Sequence, residues 1–303
     1  MMEYKKAASR IGWGLAAFFV VGQLSSIILN AIMMNIYPTF VKTLLGNLLL
    51  TDIGLYGIGL PVLVLICKGL PNADPQIPKQ QKPATLGLIL KIFCMSVGAT
   101  YIVNIIYLLI TTALSNIAGE SFSQDVVQNA IDQGNLWEKA LVFCIIAPIL
   151  EELVFRKYLY KKIGAYGDNV FIFVSGLCFG LFHGNLHQFL YTSILGALWA
   201  WLYVVTGNVV WPMLMHMLTN FMGSILMSII SEIEILSIFV GLFPIVMVIV
   251  AIVLFIRAKR HNEFAVNPER KAEKGWLKET ILNAGMMVHI LVFLSISMLL
   301  IFK

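Results

Sequence analysis

Apolar residues run through this chain in long blocks, and the charged residues collect in the short stretches between them. A transmembrane helix needs about 20 apolar residues to cross about 30 Å of hydrocarbon. Nine blocks approach or exceed that requirement, at 11–36, 44–66, 84–115, 136–160, 169–183, 188–205, 208–230, 235–256 and 280–302. The pattern predicts an all-α fold, a polytopic transmembrane helical bundle of about eight or nine spans. The first block follows a short basic start, MMEYKKAASR. It is longer than the apolar core of about 7–15 residues in a signal peptide, so it reads as a retained first helix.

Composition sharpens the class. Of 303 residues, 59% are hydrophobic and 12% charged, with mean hydropathy +0.86. A soluble domain carries about 25% charged residues, and a disordered chain needs low hydrophobicity with high charge. Both classes are excluded. The net charge of +5 forms no basic stripe, so no nucleic-acid partner is expected and the lipid bilayer is the first partner. The basic residues sit in loops and at span ends: Lys5, Lys6 and Arg10; Lys79 and Lys82; Arg156, Lys157, Lys161 and Lys162 at the end of the fourth span; and the stretch 257–278. The 120–138 loop and the turn at Glu232 and Glu234 are acidic. Placing every basic loop in the cytoplasm lets nine spans alternate without conflict. The expectation is an integral membrane protein with a cytoplasmic N-terminus, in the plasma membrane if the source is bacterial.

Three regions follow from this layout: N-terminal spans over 1–135, a helical core over 136–230, and C-terminal spans with a basic cytoplasmic loop over 231–303. The short loops 184–188 and 206–208 make the fifth, sixth and seventh spans neighbours. Cys67, Cys94, Cys144 and Cys178 lie in or beside apolar runs without CxxC spacing, which reads as buried, inert thiols rather than a zinc or disulfide framework.

Ionisable residues inside spans are costly and mark function by default. Here they are Asp52, Glu151, Glu152, Arg156, His183, His216 and His289, with His187 at a span edge. Glu151 and Glu152 are adjacent; Glu152 and Arg156 stand four apart on one helical face and can pair. Glu151 is turned about 100° away and aims elsewhere. Pro148 lacks an N–H, which frees the Cys144 carbonyl and favours a kink just before the acids. His183 lies among Phe179, Gly180 and Gly184, and His216 and Asn220 share a face. At 1.5 Å per residue, Glu151 is about 8–16 Å, His216 about 12 Å and His183 about 20 Å inside the membrane. The three can meet. Asp52 and His289 have no such companions and read as structural or pore-facing.

A carboxylate, two imidazoles and an amide around one cavity suit peptide hydrolysis. Glu151 serves as general base on a water that His183 also holds, and His216 and Asn220 donate to the oxyanion. Zinc is the alternative, ligated by Glu151, His183 and His216; no cofactor is firmly predicted. HExxH and GxSxG are absent, and Gly164-Ala165-Tyr166-Gly167-Asp168 misses GxGD.

The ordered set of EExxxR (Glu151 to Arg156), FxxxH (Phe179 to His183) and HxxxN (His216 to Asn220) resembles the motifs of the CPBP family, the CAAX proteases and bacteriocin-processing enzymes, also called Abi. The resemblance covers about 136–225. It implies an intramembrane endopeptidase with a cavity open to the cytoplasm, in which Glu151 and His183 activate water, His216 and Asn220 hold the oxyanion, and Glu152 and Arg156 support them. The family has been described as metal-dependent and as glutamate-type; the glutamate-type reading is favoured here because a carboxylate–water–imidazole set needs no metal. The implied substrate is a membrane-associated peptide or protein, prenylated CAAX-type proteins included. The alternatives are a non-catalytic scaffold or bacteriocin self-immunity protein that keeps the fold, and a proton-coupled transporter.

Overall fold

The computed structural model describes residues 2–73, 82–118, 134–231, 233, 236–266 and 272–301. Lys79, the acidic stretch before residue 134, Glu232, Glu234 and Phe302 fall outside them. Each predicted span is occupied by a helix whose ends differ from the apolar blocks by a few residues: α1 (Met2–Ile36), α2 (Leu44–Ile66), α3 (Leu86–Ala118), α4 (136–163), α5 (Asp168–Phe182), α6 (Leu186–Thr206), α7 (210–231), α8 (Ser237–Arg260) and α9 (Ala284–Ile301). No strand occurs among the described residues. In hydrocarbon every backbone polar group must be satisfied within the chain, which leaves the helix as the economical solution for an apolar block. Among the described residues five helices are long and apolar enough to cross a membrane, and α5 and α9 are shorter apolar helices. The chain is an integral membrane protein.

The largest difference from the apolar blocks is at the N-terminus, where α1 begins nine residues before Ile11. Its polar first turns are held in place by partners: Tyr4 hydrogen-bonds Thr280, Lys5 pairs with Glu279 at 2.9 Å, and Arg10 donates to the Ile66 carbonyl at 2.6 Å. Further bonds join Ala73 N to Lys161 O and Lys82 N to Val205 O. These links gather the start of α1, the ends of α2, α4 and α6 and the approaches to α3 and α9 at one basic end of the bundle. That is the grouping which alternation of the spans requires.

Among the described residues four π-helical turns interrupt the helices, at Ile53–Gly59 in α2, Val142–Ile146 and Leu153–Tyr158 in α4, and Met222–Leu226 in α7. Two of them flank Glu151 and Glu152. Helix α5 packs along α6, and both border the buried core of Phe155, Phe171, Val174, Phe179, Trp199 and Leu202. The α5–α6 turn is tight. Gly184 takes a φ of +67° and Asn185 caps α6 by accepting from Gln188 N at 2.8 Å. Close approach of α5 to α6 depends on Gly180, where a Cβ would run into the Ser193 hydroxyl and the Phe189 carbonyl. Small residues at such seams let membrane helices gain dispersion contact. Replacing Gly180 by Val should therefore cost about 1–3 kcal/mol of stability, read as a lowered thermal midpoint in detergent micelles.

Candidate active site

Arg156 is the largest charged side chain at the centre of the bundle, and both it and Glu152 are wholly shielded from solvent. Arg156 Nε stands 2.8 Å from Glu152 Oε2, one helical turn away on α4. The pairing is electrostatic rather than an aligned hydrogen bond, and among the described residues the two Nη atoms have no hydrogen-bond partner. They are met by aromatic faces instead. The guanidinium carbon lies 4.6 Å from the ring centre of Phe179 on α5 and 5.7 Å from that of Trp199 on α6. A desolvated cation over such faces gains about 2 kcal/mol, which offsets part of the cost of burying it.

The other oxygen of Glu152 reaches α7: His216 Nδ1 is 3.1 Å from Oε1. A carboxylate only accepts, so Nδ1–H donates. The imidazole also lies against Trp199, with ring centres 4.7 Å apart, and meets Phe179 edge-on at 5.6 Å. His216 Nε2 is thereby aimed at Glu151, 3.9 Å from Oε2. Glu151 Oε2 is buried and has no hydrogen-bond partner among the described residues. Of two adjacent glutamates, one is fully engaged and one is left available.

His183 closes α5 and its Nδ1 bonds the Phe179 carbonyl at 2.8 Å. Because a carbonyl only accepts, this bond fixes the tautomer and leaves Nε2 with a lone pair in the neutral ring. Its ring packs edge-on against Phe179 at 4.9 Å, so both histidines rest on one aromatic side chain.

Asn220 sits one turn beyond His216 on α7, and its Nδ2 donates to the Phe143 carbonyl at 2.8 Å. The π register explains that partner. Ala147 N–H bonds Val142 O, five residues back; continuing the register would give Phe143 O to Pro148, which has no N–H. The freed carbonyl taken by Asn220 is therefore that of Phe143, one residue before the Cys144 expected for a regular helix. The second π turn of α4 is treated in the same way, with Ser175 of α5 donating to Phe155 O at 2.8 Å. Neighbouring helices thus pin α4 on both sides of its glutamates.

Among the other ionisable residues in spans, Asp52 Oδ2 and both nitrogens of His289 are buried without a hydrogen-bond partner among the described residues. His187 stacks on Tyr107 at 4.4 Å. Cys67, Cys144 and Cys178 are buried, Cys94 is partly so, and all four are free thiols.

A family model described as "Type II CAAX prenyl endopeptidase Rce1-like" matches residues 133–222, the stretch that carries all of these side chains except those of α2, α3 and α9. Residues 133–222 are thus similar to the CPBP family. "CAAX prenyl protease 2" of Homo sapiens is 33% identical over 100 residues, covering 26% of this chain and 30% of that protein. "Putative membrane peptidase YdiL" of Bacillus subtilis (strain 168) is 32% identical over 83 residues, covering 26% of this chain and 33% of that protein. The chain thus spans about a third of the length of these relatives. No solved structure matches.

Arg156, His183 and His216, one from each of the three motifs, meet at Phe179, and one further participant lies outside the motifs. Trp199 supports both His216 and Arg156, and its Nε1 donates to Ser96 Oγ of α3 at 3.1 Å. A tryptophan in an apolar run carries no signal of that role. Glu151, His183 and His216 do not make the compact donor set an ion needs: among the described residues no three His, Cys, Asp or Glu side chains are grouped to hold one.

Breaking a buried pair leaves an uncompensated charge, at a cost of about 3–5 kcal/mol. Arg156→Met should lose that much stability, and adding Glu152→Gln should recover part of the loss. Unfolding in mixed micelles, scored as a double-mutant cycle, measures both.

Proposed function

We propose that the chain is an intramembrane endopeptidase of the glutamate type, acting on membrane-associated peptides or proteins, prenylated CAAX-type chains among them. The observation that carries this reading is Glu151: a buried carboxylate oxygen without a hydrogen-bond partner, 3.9 Å from His216 Nε2, beside a second glutamate already committed to Arg156 and His216.

In this mechanism Glu151 takes a proton from a water that the free Nε2 of His183 also holds. The hydroxide attacks the scissile carbonyl carbon, and the negative charge moves to its oxygen. His216 stabilises that oxygen as an imidazolium, with Nδ1–H on Glu152 and Nε2–H available, and the second N–H of Asn220 joins it. Glu152 is the counter-charge that makes a doubly protonated His216 affordable in a dry site. As the C–N bond breaks, the proton held by Glu151 passes to the departing amine. Arg156 touches no reacting atom; it positions Glu152. The names of the matched relatives, a prenyl protease and a membrane peptidase, support the reaction class, and the basic end of the bundle is assigned to the cytoplasm by its loops.

Glu151→Gln keeps the shape of the site and removes the base, so cleavage should fall by about 10²–10⁴-fold. The assay is proteolysis in reconstituted membranes on a panel of prenylated and unprenylated membrane peptides, with and without chelator. Activity that is lost in Glu151→Gln and survives chelation is the expected result. Loss on chelation that zinc restores makes the enzyme metal-dependent, and equal cleavage by both proteins refutes the role of Glu151.

A further inference from the structure

A cavity of about 470 Å³ lies at the basic end of the bundle, lined by Lys82, Thr85, Leu88, Lys91, Trp201 and Glu263 among others. It is separate from the hydrolytic site. Trp201 and Trp199 are two residues apart on α6, hence turned by about 200°; Trp199 faces Arg156 and His216, and Trp201 faces the cavity.

Three features of the lining suit an anion. The first turn of α3, a helix of 33 residues, contributes Gly87 and Leu88, with Thr85 capping Leu88 N at 3.2 Å; a helix start favours negative charge. Lys82 and Lys91 supply two ammonium groups. Both already rest on Glu263: Lys82 donates to its backbone carbonyl at 3.0 Å and Lys91 to its carboxylate at 2.5 Å. That hydrogen bond from Lys91 holds the Glu263 carboxyl below its ordinary pKa, so it stays an anion at neutral pH. Two lysines against one carboxylate leave the cavity with a positive excess.

The deciding feature is Trp201. Only 4% of its surface is exposed, yet its Nε1–H has no acceptor among the described residues. Lys82 lies over the same ring at 5.5 Å. A buried indole N–H normally finds a partner, and the Trp201 side chain stands in the cavity wall together with Lys82 and Lys91. Leu86 and Leu90 next to the cavity are exposed along α3, and Phe255 is exposed on α8. They provide an apolar track leading from the polar cavity into the bilayer.

We propose that this cavity binds the phosphate headgroup of an acidic phospholipid, with Trp201 Nε1–H, Lys82 and Lys91 donating to its oxygens and the acyl chains lying along α3 and α8. Basic pockets between spans at the cytoplasmic surface are suited to such headgroups. Glu263 is the internal competitor for Lys91.

The test uses the full chain in nanodiscs and in detergent, with phosphatidylglycerol and phosphatidylcholine as probes, and native mass spectrometry to count retained lipid. Phosphatidylglycerol should be retained in preference to phosphatidylcholine. Lys82→Gln and Lys91→Gln should each weaken retention about fivefold. Trp201→Phe, which keeps the ring and removes the donor, should weaken it as well, and Glu263→Gln should strengthen it. Trp201→Phe and Glu263→Gln remain informative if a lysine variant fails to fold. Equal retention of the two lipids, or retention unchanged in all four variants, overturns the proposal. Displacement of the lipid by millimolar inorganic phosphate, with the same thermal protection from phosphate alone, would overturn the lipid assignment in favour of a free phosphate.

Discussion

The buried pair of Glu152 and Arg156 is the constraint around which the central helices arrange themselves. Two full charges wholly shielded from solvent in an apolar bundle must find every partner inside the protein. Glu152 divides its oxygens between Arg156 on its own helix and His216 on α7, and Arg156 draws the faces of Phe179 and Trp199 from α5 and α6. Four helices are thus fixed by one charge pair. Buried ion pairs contribute little net stability compared with apolar packing of the same volume. What this one contributes is placement: it sets the His216 ring so that Nε2 faces Glu151.

The π turns complete that placement. A regular α4 would offer its neighbours one free carbonyl, that of Cys144 opposite Pro148. The two interruptions expose the carbonyls of Phe143 and Phe155, which Asn220 and Ser175 take up from α7 and α5. The Glu151–Glu152 turn is held from both ends by backbone as well as by charge. π-bulges are frequent at functional sites, and here the reason is mechanical: each creates an acceptor where a neighbouring helix can attach.

Much of this was legible in the sequence. The spans stood out because a helix crossing hydrocarbon must be apolar along its whole length, and Glu151, Glu152, Arg156, His183 and His216 stood out because they break that rule. Other features were hidden for identifiable reasons. Trp199 is one more apolar letter in an apolar run, and its importance exists only once Arg156 and His216 arrive from other helices. The expected consequence of Pro148 fell one residue away because spacing on paper assumes 3.6 residues per turn, and a π turn is not announced by its sequence. The extension of α1 to Met2 was hidden by polar residues that read as a loop until Thr280 and Glu279 supplied partners.

The shortness of α5 has a bearing on the shape of the membrane around the bundle. A 15-residue helix is about 22 Å long, roughly 8 Å less than the hydrocarbon it stands in. Helix α6, with 21 residues, spans the full thickness beside it. Both helices run from the turn at Gly184 and Asn185, so the difference falls at their other ends, where the start of α5 at Asp168 lies about 9 Å short of Thr206. Such a hydrophobic mismatch is relieved by local thinning of the bilayer over the short helix. In this light the length of α5 shapes the membrane: it lowers the aqueous boundary over the basic end of the bundle without an open channel through it.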